Sequence, residues 1–328
     1  MGGTMTTGHE PAPPRGDHDR GNNHGLLRTK PLAQITAESK EQAGGLKRTL
    51  TAIDITAIGV GAMIGAGIFV LTGTAAKTAA GPAIMLSYVF AGGACILAAL
   101  CYAEFAARLP ISGSVYTYSY ASVGELFAWI IGWDLILEYT IGASTVAVGW
   151  TKYLGALIPG AGALSHVAVN WQIFGWHIDH INILAGLIIL GLSALLCIGV
   201  KESAQVNSVI VAVKVGVVLF VILAGLFFIS PENWIPFTPF GAHGSACPVD
   251  TFCWDGIFTG AALIFFSYIG FDAVSTTAEE AKNPQRDLPI GIMASLLICT
   301  GLYVAVAGVI TGMVPYQEID PGAPLPAP

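Results

Sequence analysis

The sequence predicts an all-α polytopic membrane protein, on three observations. Hydrophobic residues make up 54% of the 328-residue chain and charged residues only 11%, far from the roughly 25% charged residues of an ordinary soluble domain. The mean hydropathy is +0.68. Apolar stretches of about 20 residues recur along the chain, the length a helix needs to cross a bilayer. The net charge of -7 resides mostly in tails and loops, so it names no partner other than the lipid bilayer. No nucleic-acid binding is suggested.

Residues 1–48 are polar, rich in Gly, Pro and His, and lack the apolar core of a signal peptide. They read as a cytoplasmic tail, mostly disordered up to about residue 45. Its histidines, His9, His18 and His24, are too widely spaced to favour a metal site over a solvated tail. The transmembrane domain is expected over 49–315, with spans at about 50–76, 82–107, 123–151, 181–200, 204–229, 256–279 and 288–314. Residues 316–328 read as a low-complexity outer loop.

With the tail inside, eleven basic residues fall in inner segments: Arg15, Arg20, Arg28, Lys30, Lys40, Lys47, Arg48, Arg108, Lys201, Lys282 and Arg286. Only Lys77 and Lys152 fall in outer loops. This positive-inside bias puts the N terminus in the cytoplasm, although seven of the eleven lie in the tail.

The first span is organised around Gly59 to Phe69, where glycines stand at 59, 61, 65 and 67. Each glycine costs about 1 kcal/mol relative to alanine in a helix interior, so continuous helix is not what this stretch optimises. Two readings stand: a broken helix lining a binding cavity, since irregular backbone in a membrane needs a cavity or protein to satisfy it, or close helix packing through Gly61 and Gly65. In the second span, Glu104 and Arg108 have the i, i+4 spacing of a surface ion pair. In the third, Glu138 is a carboxylate well inside the membrane. Such a group faces a cavity or a polar partner.

The outer loop of about 153–180 contains Pro159, Trp171 and Trp176 and is expected to lie partly at the interface. His166, His177 and His180 there lack metal-ligand spacing. In the fifth span, Lys214 sits about ten residues from the inner end and fifteen from the outer, too deep to snorkel fully. An ammonium at that depth costs on the order of 3 kcal/mol, which makes it either a proton-coupling group or a structural lysine donating to carbonyls of the broken first span. In the outer loop 230–255, Cys247 and Cys253 either pair or stay free.

A second interrupted segment, Phe265 to Val274 with Gly270 and Asp272, is expected to open the sixth span. Two glycine-interrupted helices five spans apart point to an inverted-repeat transporter with its site between them. Freed amides suit a carboxylate and freed carbonyls suit an ammonium, so an amino acid zwitterion satisfies both. The charged inner turn 278–289 reads first as solvated. No cofactor is expected, and no nucleophile with a base or phosphate loop suggests an enzyme.

Gly59 to Gly73, Tyr102 to Glu104, Ser112 to Tyr118, and Phe271 to Thr276 followed by Glu279, Glu280, Asn283, Pro284 and Arg286 to Pro289 together resemble the cationic amino acid transporter family. That family belongs to the amino acid-polyamine-organocation superfamily. The resemblance, running from about Lys47 to Pro315, implies a LeuT-type fold with helices 1 and 6 broken, and proton-symport uptake of L-amino acids at the plasma membrane. It implies that Ile64, Gly65, Ala66 and Gly67 contact the substrate backbone, that Phe266, Ser267 and Ile269 supply the opposite side, and that Glu138 lies near the pocket. Lys214 matches the family's coupling lysine. Ala66 stands where a polar residue is common. Such a fold has ten core helices and seven are read here, so the chain is expected to be a fragment or a truncated product, with an amino acid exchanger or a non-transporting sensor as alternatives.

Overall fold

The computed structural model describes residues 28–31, 35, 48–158, 160, 165, 167–173, 176–198, 204–241, 245–248 and 251–319. Helix α1, Ala52–Met63, is the N-terminal half of the first span. Thr51 opens it with a capping box, its side chain and that of Asp54 each accepting from the other's backbone amide. After an interruption the span resumes as a 3-10 turn, Ala66–Ile68, and helix α2, Val70–Ala75. Gly81, at φ +60°, then reverses the chain at a position where a side chain would be strained and would run into Pro239.

Helix α3, Ile84–Arg108, is the second span. A short surface helix α4, Ser114–Ser122, leads to α5, Glu125–Leu157. Helices α6, Ile183–Ile198, and α7, Ala204–Gly225, follow. The sixth span is α8, Trp254–Ile264, continued by 3-10 turns at Phe265–Tyr268 and Asp272–Thr277. Helix α9, Pro284–Met313, completes the described helices. Among the described residues, five helical segments are long and apolar enough to cross a membrane, and α1 and Ile183–Leu195 are shorter apolar helices.

The core lies between the second and seventh spans, which pack along most of their length, with α1 against the seventh. In α3 the buried positions Ile84, Tyr88, Ala91, Cys95, Ala99 and Ala106 form one stripe at helical spacing. In α9 Leu288, Ile292, Leu296, Cys299, Tyr303 and Val306 form the facing stripe. Small residues permit the approach: a methyl group at Gly92 would lie 2.8 Å from Thr300 Oγ1. By contrast α5 buries only Ala128, Ala147, Gly149 and Thr151 and exposes Trp129, Trp133, Ile136, Leu137 and Ile141.

Three features differ from the sequence expectations. Both interruptions fall in the middle of their spans rather than at the start. The loop after α5 contains an antiparallel hairpin, β1 Val167–Ile173 and β2 Trp176–Ile181. Its apolar residues at 167, 169, 171 and 173 alternate with period two, a strand signal hidden among the tryptophans of an interfacial loop. Within the expected disordered tail, Arg28–Pro31 and Ile35 are seated on the protein, and Ile35 belongs to the core cluster. The rest of that tail, up to residue 47, lies outside the described residues.

Candidate functional site

Helix α1 ends at Met63 because Ile64 turns extended, with φ -72° and ψ 98°. Gly59 and Gly61 remain helical, so the four glycines divide between two tasks. A methyl group at Gly59 would stand 2.6 Å from Ser295 Oγ and 2.7 Å from Val274 Cγ2, and one at Gly61 would collide with Val211. Those two glycines are packing positions. Gly65 lies in the interruption itself and Gly67 in the 3-10 turn that follows it.

The sixth span breaks in a related way. The 3-10 turn Phe265–Tyr268 ends where Ile269 turns extended, and Gly270 takes φ +106°, a conformation that favours glycine. The two breaks touch. A methyl group at Gly270 would lie 3.0 Å from the Ala62 carbonyl, and one at Gly67 would lie 2.5 Å from Ser267 Oγ and 2.9 Å from its Cα. Ser267 is buried, and its hydroxyl makes no hydrogen bond. Phe266 and Ile269 are half-buried beside it.

Tyrosine hydroxyls hold this backbone. Tyr303, fully buried on α9, has its hydroxyl 2.8 Å from the Met63 carbonyl and 2.7 Å from the Ser267 carbonyl. These are carbonyls that each break releases from its helical ladder, and a single phenolic proton serves one of them at a time. Tyr88 meets Thr72 Oγ1 at 2.6 Å, and Thr72 donates to the Ile68 carbonyl at 2.6 Å. Tyr268 donates to the Tyr88 carbonyl at 2.9 Å. The rings pack together, with the Tyr303 centroid 5.3 Å from those of both Tyr88 and Tyr268. Sequence reasoning missed all three. Their signal was a tyrosine in an apolar span, where a buried hydroxyl must find a partner.

Lys214 on α7 donates to the Gly61 carbonyl at 3.2 Å. Val211, one turn earlier, fills the space that Gly61 leaves. The lysine thus touches the last turn of α1, just ahead of the break. Glu138 on α5 is half-buried and close enough to Asp272 for their charges to interact. Asp272, itself buried, accepts from Tyr139 at 3.0 Å and from Ser114 at 3.3 Å. Sequence reasoning noticed Asp272 only as part of the second break.

A cavity of about 430 Å³ opens between the first break, α5 and α7. Ile64, Gly65, Ile68, Phe69, Val146 and Lys214 are among its walls, but Phe266, Ser267, Ile269 and Glu138 are not. The sequence-selected residues therefore divide into two groups on either side of the first span. Ile64 and Gly65 face the cavity shared with Lys214, whereas Gly67 packs directly on Ser267. No group of three or more candidate metal ligands occurs among the described residues.

Away from the breaks, Cys247 and Cys253 form a disulfide in the loop between α7 and α8. At the opposite face, Thr49 and Leu50 donate to the Glu280 carbonyl at 2.9 and 3.0 Å, and Lys282 donates back to Leu50 at 2.9 Å. The turn after the sixth span is therefore paired with the entry to the first. Glu104 and Arg108 form their ion pair at 2.8 Å, largely exposed.

A family model described as amino acid permease matches residues 50–327. The chain is 47% identical over 300 residues to a methylthioribose transporter of Bacillus subtilis, covering 92% of this chain and 62% of that protein. It is 48% identical over 302 residues to the branched-chain amino acid permease BcaP of the same organism, covering 89% and 60%. Over 316 residues it is 44% identical to the vacuolar cationic amino acid transporter 2 of Arabidopsis thaliana, covering 94% and 47%. The chain thus spans between about half and three-fifths of the length of these relatives.

Proposed function

Because the chain belongs to the amino acid permease family, we propose that it forms part of a secondary active transporter that imports L-amino acids by proton symport. One observation carries this reading: the two helix interruptions pack against each other, and each withdraws backbone groups from a helical ladder at the same depth. Tyr303 can donate to only one of these carbonyls at a time, and a backbone acceptor left over inside a membrane requires a polar ligand or a wet cavity. An amino acid presents both a carboxylate and an ammonium, and so matches both kinds of freed group.

In this proposal Ile64, Gly65, Ala66 and Gly67 offer backbone groups to the substrate, and Phe266, Ser267 and Ile269 form the opposite side. Glu138 supplies negative charge nearby. Lys214 is the proton-coupling group: when charged it holds the Gly61 carbonyl, and on losing its proton it keeps a weaker hold on the first break. Substrate binding and protonation are then linked through one segment of backbone. The structural role of the lysine and its coupling role are the same hydrogen bond in two protonation states. The domain layout follows as part of the proposal, with residues 1–48 as an N-terminal tail in the cytoplasm, a membrane domain over 49–315, and residues 316–328 outside. The plasma membrane is the proposed location.

The test is uptake by the full-length protein in proteoliposomes, offered labelled branched-chain and cationic L-amino acids and, in view of the relative named for it, methylthioribose. Accumulation of an L-amino acid that follows an imposed inward proton gradient supports the reading. Uptake that ignores the gradient and requires internal substrate identifies an exchanger, and binding without flux identifies a sensor. Transport confined to methylthioribose moves the substrate class to a thiosugar. A tag at the N terminus that is protected from external protease in intact cells supports the orientation; its cleavage reverses it.

A further inference from the structure

We propose that Arg28–Pro31 and Ile35 act as a strap that holds the N-terminal face of the membrane domain closed and slows its opening. The first turn of α5 has no capping side chain, because its N-cap is Gly124 at φ 127°. The Glu125 amide is instead satisfied from the tail, donating to the Arg28 carbonyl at 2.9 Å. Two residues on, the Lys30 amide donates to the Tyr120 carbonyl at 3.3 Å, and the Lys30 ammonium lies 5.9 Å from the centre of the Tyr120 ring. The Ile35 amide donates to the Pro31 carbonyl at 3.1 Å. That bond places Ile35, 7% exposed, in the hydrophobic core. A polar tail has thus been given one buried apolar anchor and two backbone attachments.

What the strap grips is connected to the second break. Tyr120 belongs to α4, and the residues that lead into that helix hold the inner half of the sixth span. Ser112 Oγ donates to the Thr276 carbonyl at 2.7 Å, its amide reaches Glu279 Oε1 at 3.3 Å, and Ser114 Oγ donates to Asp272 at 3.3 Å. For this face to open, the sixth span must part from the Ser112–Ser114 turn or carry α4 with it. Fixing α4 to the start of α5 resists the second course. The attachment points Arg28 and Glu125 are exposed, and Lys30 and Tyr120 are half-buried, so these bonds belong to the part of the fold that opens locally without global unfolding.

The effect on rate rests on the transport reading above, so the first measurement is independent of it. Hydrogen exchange followed by mass spectrometry on the full-length protein, comparing wild type with Ile35→Asp and Ile35→Leu, reads protection at residues 112–125 and 272–282. The expected result is faster exchange in both regions for Ile35→Asp and wild-type exchange for Ile35→Leu, with the membrane core unchanged. In proteoliposomes the same Ile35→Asp protein is expected to raise the initial uptake rate about three-fold, as a shift of the closed population predicts. Unchanged exchange in Ile35→Asp overturns the strap whatever the transport result. Faster exchange with slower uptake overturns it as a brake and leaves only a structural attachment. If Ile35→Asp does not fold, deletion of residues 1–35 is measured in the same two ways, with the same outcomes.

Discussion

Replacing Gly67 by alanine tests the packing on which the proposed site depends. The added methyl would lie 2.5 Å from Ser267 Oγ, 2.8 Å from its Cβ and 2.9 Å from its Cα. Carbon atoms at rest lie about 3.5 Å or more apart, so the breaks must separate by about 0.7 Å. Because one of the crowded atoms is backbone, rotating the serine side chain cannot relieve the clash. Overpacking of this kind costs about 1–3 kcal/mol. If the separation falls on the substrate site, affinity drops by about 5- to 150-fold. Gly65→Ala is the comparison: its methyl meets only Val146 Cγ2 at 3.7 Å, an ordinary van der Waals separation. Gly93→Ala, with nothing within 4 Å, is the neutral control. The assays are substrate binding to purified full-length protein and its thermal unfolding midpoint in the same detergent. Gly67→Ala is expected to lose both affinity and stability, Gly65→Ala affinity alone, and Gly93→Ala neither. Wild-type affinity and stability in Gly67→Ala would refute the packing of the two breaks as the basis of the site.

Lys214→Ala removes the donor to the Gly61 carbonyl; uptake is expected to lose its dependence on an imposed pH gradient while exchange of internal for external substrate continues, and gradient-driven accumulation at the wild-type level would contradict the coupling role. Tyr303→Phe leaves the Met63 and Ser267 carbonyls without their shared donor. An unmatched buried acceptor costs about 1–3 kcal/mol, so a lower unfolding midpoint is expected, with KM raised if the breaks lose their spacing. Cys253→Ser opens the loop closed by the disulfide with Cys247. For a ring this small the loss is about 2 kcal/mol in the chain-entropy model, read as a lower midpoint insensitive to added reductant.

The all-helical class was legible because long apolar runs leave few alternatives in a bilayer, and the breaks were legible because glycine is costly in a helix. What the sequence could not divide was the labour among the glycines. Gly59 and Gly61 look like Gly65 and Gly67 along the chain, but their purposes depend on Ser295, Val274 and Val211, residues far away in sequence. Tyr303 was invisible for a related reason. A single tyrosine carries no periodic signal, and its importance comes from reaching two segments separated by more than 200 residues of chain. Lys214 announced itself by depth alone, whereas Asp272 was hidden among the many charges that follow it. The hairpin at Val167–Ile181 was missed because tryptophans at an expected membrane surface drew attention away from a period of two.

The central claim is that an amino acid lies between the two breaks. A structure of the full-length protein with bound L-amino acid tests it most directly. The expected density has its carboxylate and ammonium within hydrogen-bond reach of backbone atoms from Ile64–Gly67 on one side and Phe266–Ile269 on the other. Substrate density confined to the apolar cavity beside α7, touching Val213, Val217 and Val221 but no residue of the sixth span, would contradict it.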